Sequence, residues 1–294
     1  MNRAVFAFAE DLTGAKELAD ALDLSCYPVL LHRFPDGESL VRVDHAVEQP
    51  ILFRRLDRPN GKIFDLLLAA GSFAELGCRR PVLVAPYLPY MRQDASFHHG
   101  EAISQQVLGR TLDGIFSTLV TVDPHLHRIS SLDRLFSSTK TVCLSASRLL
   151  AGMLSTAEAE ALLVGPDIES EALVCAVASQ VGADWLCLRK ERRADRALTF
   201  DLAAIGLAKG RKIILVDDVC SSGATLAVAA RLLEAGGAVS VEALVVHALH
   251  DEAAATAMER AGIRRLRSTD SILHPSNGAS LAPLLAEAVR EPPP

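Results

Sequence analysis

Short runs of consecutive apolar residues alternate along this chain with longer stretches in which apolar positions recur every three or four residues. Runs at Pro81–Tyr87, Thr118–Val122, Ala161–Val164, Trp185–Leu188, Lys212–Val216 and Val241–Val246 are rich in Val, Leu and Ile. Unbroken apolar runs of this length predict strands buried on both faces, and the stretches between them predict amphipathic helices. Strand and helix in alternation give right-handed βαβ units and a parallel sheet covered by helices. A last helix is expected from Ser280 to Glu291, before the tail Pro292–Pro294.

A weak internal echo divides the pattern in two. LLAAGSFAELGCRRPVLVAPY (67–87) and LAVAARLLEAGGAVSVEALVV (226–246) share a helix, a Glu-x-Gly whose glycine falls near the helix end, and a strand. Two related α/β domains follow, 1–142 and 143–294, with the last helix free to pack back on the first. The length of 294 residues suits two domains of roughly 150 each.

Composition narrows the partners. Half the residues are hydrophobic and 5% aromatic, the net charge is −6, and no basic stripe gathers, which argues against a nucleic-acid partner. No apolar stretch reaches the roughly 18 residues of a membrane span, and the start MNRAVFAFAEDL is too short in apolar residues for a signal peptide, so a cytoplasmic protein is expected. The six cysteines include no C-x-x-C pair and read as small buried hydrophobes in a reducing compartment.

The polar clusters that could carry chemistry begin within a few residues after a strand: Tyr90–Asp94, Asp123–His127, Asp167–Ser170, Arg189–Arg193 and Asp217–Thr225. In open α/β sheets that edge binds ligands. The strongest cluster is KIILVDDVCSSGATLAVAARLLEAGG (212–237). A strand ends in two acids, the small residues Ser221, Ser222, Gly223 and Ala224 let several backbone N–H groups converge, and Thr225 leads into a helix whose N-terminus favours an anion. Asp217 and Asp218 are placed to accept hydrogen bonds from sugar hydroxyls or to hold a metal. The plain alternative is a tight turn with a Ser or Thr cap.

This element resembles the phosphoribosyl-diphosphate loop shared by type I phosphoribosyltransferases and ribose-phosphate diphosphokinases. Ser221 stands where many diphosphokinases carry an acid. Further segments resemble the diphosphokinases specifically. HRFPDGESLVRV (32–43) matches their Phe-x-Asp-Gly-Glu element, although Pro35-Asp36-Gly37 by itself is a hairpin turn. PYLPYMRQDASFHHGEAIS (86–104) matches their Arg-Gln-Asp signature and flexible loop, with Ala95 and Ser96 where basic residues are common and Ser104 able to cap the next helix. TVDPHLH (121–127), LLVGPDIES (162–170) and LCLRKERRAD (186–195) match the remaining motifs in order. By residue type alone, the Asp123–His127 residues serve equally to cap a helix or bind zinc, and the 189–195 run is an ordinary charged loop.

The resemblance implies two tandem phosphoribosyltransferase-like domains and transfer of the β,γ-diphosphoryl group of Mg-ATP to the 1-hydroxyl of ribose 5-phosphate. It assigns ATP to Phe34, Asp36, Gly37, Glu38, Arg92, Gln93 and Asp94, and ribose 5-phosphate to Asp217, Asp218, Ser221, Ser222, Gly223, Ala224 and Thr225. Magnesium falls to His125 and Asp167, and catalysis to Lys190 and Arg192, cations suited to the charge that builds on a transferring phosphoryl group. A homodimer or its multiple is implied by a site shared between subunits. A phosphoribosyltransferase using the same loop, or a non-catalytic regulatory paralogue, are the other readings.

Overall fold

The structure, a computed structural model, describes residues 2–192, 198–200 and 205–290, with the backbone alone at 190–192 and 198–200. The chain divides into two compact units, residues 1–144 with 281–294, and residues 145–280.

In the first unit the strands are β1 (Arg3–Phe8), β2 (Cys26–Arg33), β3 (Ser39–Arg42), β4 (Gln49–Phe53), β5 (Val82–Val84), β6 (Thr118–Val122) and β7 (Lys140–Leu144). Among the described residues they form one sheet in the order β3-β2-β1-β4-β5-β6-β7, parallel except for the antiparallel β2–β3 pair. Three helices connect them: α1 (Leu12–Leu22), α2 (Pro59–Glu75) and α3 (Ser104–Leu112). Every residue of β4 and β6 is buried, which is why their sequences are mainly apolar without strict alternation, with Gln49, Thr118 and Thr121 as buried polar exceptions. Phe6 of β1 meets Phe73 of α2 edge-on, ring centroids 4.9 Å apart, at the centre of a core with Phe8, Leu52, Leu66 and Leu83. The final helix, Ala282–Val289, packs on α1, where Arg3 donates to the carbonyls of Val289 and Arg290.

The second unit holds β8 (Leu162–Gly165), β9 (Trp185–Cys187), the β10 (Lys190–Arg192) and β11 (Leu198–Phe200) ribbon, β12 (Lys212–Cys220), β13 (Ser240–Ala248), β14 (Ile263–Thr269) and β15 (Asn277–Ala279). Its main sheet is parallel in the order β15-β14-β13-β12-β8-β9, while β10 and β11 pair antiparallel apart from it. The helices are α4 (Ser147–Gly152), α5 (Glu171–Val181), α6 (Ala224–Ala235) and α7 (Glu252–Arg260). Leu226, Ala230 and Leu233 bury one stripe of α6 against Ile213, Leu215 and Val241 of the sheet.

The α/β architecture expected from the hydrophobic pattern therefore forms in both units. Its boundaries differ in two informative places. β5 stops at Val84, short of the run to Tyr87, because Pro86 ends the ladder. β12 runs on through Cys220 instead of stopping at Val216, because β13 extends beside it and pairs with Asp217, Val219 and Cys220. In the echoed segments, Gly77 and Gly237 both end a helix with positive φ, at 72° and 91°. The glycine aligned with Gly77, Gly236, instead keeps φ −74°.

Candidate functional site

The second unit carries the segments assigned to the sugar phosphate. Asp217 and Asp218 lie within β12, at the carboxyl edge of the sheet, where Asp217 is 9% exposed and its Oδ1 accepts from the Asp218 amide at 3.1 Å. The strand then gives way to Ser221–Gly223, and α6 begins at Ala224, one residue before Thr225. The helix cap is Gly223 with φ 68°, not a serine or threonine, and the Ser222 hydroxyl just before it accepts from the Ala224 amide at 3.4 Å. The plain reading of this loop as a hydroxyl-capped turn is met only in part: a serine hydroxyl reaches the first amide, but the cap position itself is glycine. A Cβ at Gly223 would come within 2.6 Å of Met258 Sδ, a residue 2% exposed, so backbone angle and packing together require glycine. A helix N-terminus open behind such a glycine presents N–H groups to an anion. Cys220 is buried, its Sγ 3.7 Å from Met258 Sδ, and burial pushes its thiol up to about 12. It packs the loop and is inert.

Asp167 caps the 3-10 turn Ile168–Ser170: its Oδ1 accepts from the Glu169 amide at 3.1 Å, and the Ser170 hydroxyl donates to its carbonyl at 2.7 Å. Asp167, Ile168, Glu169 and Arg189 line a cavity of about 380 Å³. Lys190 and Arg192 lie on β10, paired with Phe200 and Leu198, and their side chains fall outside the described residues.

The first unit carries the segments assigned to ATP. Arg33 and Ser39 pair across β2 and β3, closing a hairpin in which the Phe34 amide donates to Glu38 O at 2.8 Å and the Gly37 amide to Phe34 O at 2.9 Å. Gly37 takes φ 92°, and Asp36 Oδ1 accepts from the Glu38 amide at 3.0 Å. The turn expected from Pro-Asp-Gly is therefore formed. Phe34 remains 40% exposed beside a groove of about 680 Å³ lined by Arg33, Asp36, Gly37, Glu38, Ser39 and Phe64.

Past β5 the chain turns sharply at Tyr90, φ 65°, and reaches Arg92, which is exposed. Gln93 is engaged locally: its Nε2 donates to Ala102 O at 3.2 Å and its Oε1 accepts from the Ser104 hydroxyl. Ser104 therefore does not cap α3, whose cap is Ile103. Asp94 is not turned outward either, since its side chain is 6% exposed and pairs with Arg128 Nε at 3.3 Å and His127 Nδ1 at 3.6 Å. His125 sits in the same 123–128 loop, which leaves β6 through Asp123 at φ 35°. In the flexible-loop segment, Glu101 Oε2 accepts from the amides of Phe97 and His98, and His98 Nδ1 lies 2.5 Å from Glu101 Oε1. These hydrogen bonds hold the Glu101 carboxyl below its usual range. Met258, Arg128 and the Arg33–Asp65 pair (2.7 Å) were not read from the sequence. Each acts through a contact between segments distant in the chain, which no local pattern displays.

Two parallel-sheet units, each with polar clusters at the carboxyl edge and one with a glycine-capped phosphate-type loop, define a tandem phosphoribosyltransferase-type α/β protein. The comparisons agree. A family described as "N-terminal domain of ribose phosphate pyrophosphokinase" matches residues 4–114, and one described as "Phosphoribosyl transferase domain" matches 140–281. Ribose-phosphate pyrophosphokinase of Methanopyrus kandleri is 31% identical over 97% of this chain and 98% of its own length. The Maricaulis maris protein of the same name is 31% identical over 94% of this chain and 92% of its own. The crystal structure of phosphoribosylpyrophosphate synthetase from Mycobacterium smegmatis superposes with a TM-score of 0.82 at 24% identity, covering 99% of this chain and 98% of that one, a likeness of fold. The chain belongs to the ribose-phosphate pyrophosphokinase family and is an enzyme of that class, a kinase-type transferase of nucleotide biosynthesis.

Proposed function

We propose that the chain transfers the β,γ-diphosphoryl group of Mg-ATP to the 1-hydroxyl of ribose 5-phosphate, giving 5-phosphoribosyl 1-diphosphate and AMP. The observation that carries this reading is the pair of acids Asp217 and Asp218 near the end of β12, followed by a short serine turn into a glycine-capped helix N-terminus, in a chain whose relatives bear the pyrophosphokinase name over nearly its whole length. The 5-phosphate is assigned to Ser221, Ser222, Gly223, Ala224 and Thr225, where amides and hydroxyls supply donors, and the ribose hydroxyls to the two acids. ATP is assigned to Phe34, Asp36, Gly37, Glu38, Arg92 and Gln93. Asp94, buried against Arg128, supports that loop from behind.

The ribose 1-oxygen attacks the β-phosphorus in line and gives up its proton to solvent, the bond between that phosphorus and the bridging α-phosphate oxygen breaks, and AMP departs. Lys190 and Arg192 stabilise the negative charge that builds on the transferring group. Magnesium would be held by Asp167 directly and by His125 directly or through a water, neutralising phosphate charge. The Asp167 carboxylate suits the ion, which takes one or two carboxylates with phosphates and water, whereas the His125 nitrogen is an uncommon donor to magnesium. Among the described residues no group of three His, Cys, Asp or Glu side chains is assembled for a metal. Among them also, no helix is long and apolar enough to cross a membrane. A cytoplasmic homodimer or its multiple, without nucleic acid or membrane partners, completes the proposal.

AMP formation from ATP that requires ribose 5-phosphate is the expected result. Diphosphate release on adding a purine or pyrimidine base would indicate a phosphoribosyltransferase, and neither activity would indicate a regulatory paralogue. Lys190→Ala is expected to lower kcat by about two to three orders of magnitude, as loss of one preorganised donor does. An unchanged kcat removes Lys190 from the mechanism.

A further inference from the structure

In the first unit a continuous chain of ion pairs runs from the core to the hairpin. Arg54, which follows β4, is 1% exposed, and its Nη1 donates to Asp11 Oδ2 at 2.9 Å and to Glu10 Oε1 at 2.8 Å. Its Nη2 lies 3.6 Å from Asp65 Oδ2, on a side chain of α2 that is 0% exposed. The same Asp65 oxygen accepts from Arg33 Nη2 at 2.7 Å. Arg33 is the last residue of β2, and its Nη1 donates to the hydroxyl of Ser39, the first residue of β3. One guanidinium thus grips both legs of the hairpin that presents Phe34, Asp36 and Glu38.

Stability alone is a poor account of this arrangement. Desolvation offsets most of the attraction in a buried ion pair, and well-packed apolar residues of like volume often do as well or better. Here the buried atoms Asp65 Oδ1 and Arg54 Nε also lack hydrogen-bond partners. What the chain does supply is direction. The hairpin sits at the sheet edge, where a two-stranded ribbon is held weakly by itself, and Arg33 ties it to a fixed point in the core.

We propose that Arg33, Asp65 and Arg54 are positioning residues that hold the hairpin in its nucleotide-binding orientation. The proposal rests on the assignment of ATP to Phe34, Asp36 and Glu38. A hairpin held in place before ATP arrives does not lose that freedom on binding, so loosening it weakens affinity without touching the transferring group.

The test uses the full chain with Arg33→Ala, Arg33→Lys and, in parallel, Glu38→Ala. Arg33→Ala is expected to raise KM for ATP about tenfold while kcat and KM for ribose 5-phosphate stay within about twofold. Hydrogen exchange at the Phe34 and Gly37 amides is expected to quicken at least about tenfold. Arg33→Lys, which keeps a cation for Asp65, is expected to recover part of the KM. Unchanged exchange in Arg33→Ala overturns the tether, and so does an unchanged KM for ATP where Glu38→Ala raises it. If Glu38→Ala also leaves KM for ATP unchanged, the hairpin does not bind ATP, and the positioning role falls with that assignment.

Discussion

Gly223 is held by two constraints at once, a φ of 68° and a gap too small for a Cβ beside Met258. Gly223→Ala is therefore expected to cost about 1–3 kcal/mol and to raise KM for ribose 5-phosphate, checked by thermal unfolding and steady-state kinetics. Met258→Ala should recover at most part of the KM rise, because the added space leaves the backbone angle unchanged. The sequence displayed the small residues of this loop but not Met258, which lies 35 positions further on and arrives only when α7 folds back. Asp167 was equally ambiguous as a residue. In the fold it is a turn former through Oδ1, and its proposed metal role must use the rest of the same carboxylate.

At the scale of elements, the pattern of apolar runs was legible for some buried strands and not for others: β4, buried at every residue, was not among the expected runs, since Gln49 and Pro50 open it. β6 falls on Thr118–Val122 as expected, its end marked by Asp123 and Pro124. Where a neighbouring strand decides the length, as β13 does for β12, the sequence of one element could not reveal it. Loops were least legible. Asp94 belongs to a signature that invites a ligand role, yet it links two loops through Arg128 and His127. Asp94→Asn is expected to cost about 1–2 kcal/mol and to raise the magnesium concentration needed for half-maximal rate, with KM for ATP at saturating magnesium moving less than threefold. A large rise in that KM with no loss of stability would return Asp94 to the ATP site.

The second sheet carries its own titratable brace. Glu158 pairs with Arg265 at 2.6 Å and with Arg267 at 2.7 Å, and Glu242 lies 2.9 Å from Arg265. Burial works against the ionised Glu158, but hydrogen bonds from the Ser155 hydroxyl and amide and the charge of Arg267 outweigh it and bring the carboxyl from 4.5 to about 2. A carboxyl lowered on folding stabilises the folded state fully above its ordinary value, and that contribution is lost as pH falls toward the folded one. Glu158→Gln is expected to lower Tm near pH 7, the gap to the parent narrowing from about pH 5 to pH 2.5. A gap constant over that range would mean the brace acts by packing alone.

At the scale of the whole molecule, strand–helix alternation and the repeated glycine-ended helix announced two α/β units. The motifs announced a family, because their order and spacing persist where their geometry cannot be read. What stayed hidden were the long-range ion pairs, Arg33 with Asp65 and Arg265 with Glu158, since they join elements far apart in the chain. The central claim concerns which phosphorus is attacked. ATP labelled at the β-phosphorus, incubated with ribose 5-phosphate and magnesium, tests it most directly. The account predicts the label in a phosphoribosyl diphosphate, formed one for one with AMP. Label retained in ADP, with only the γ-phosphoryl group moved to the sugar, would contradict it.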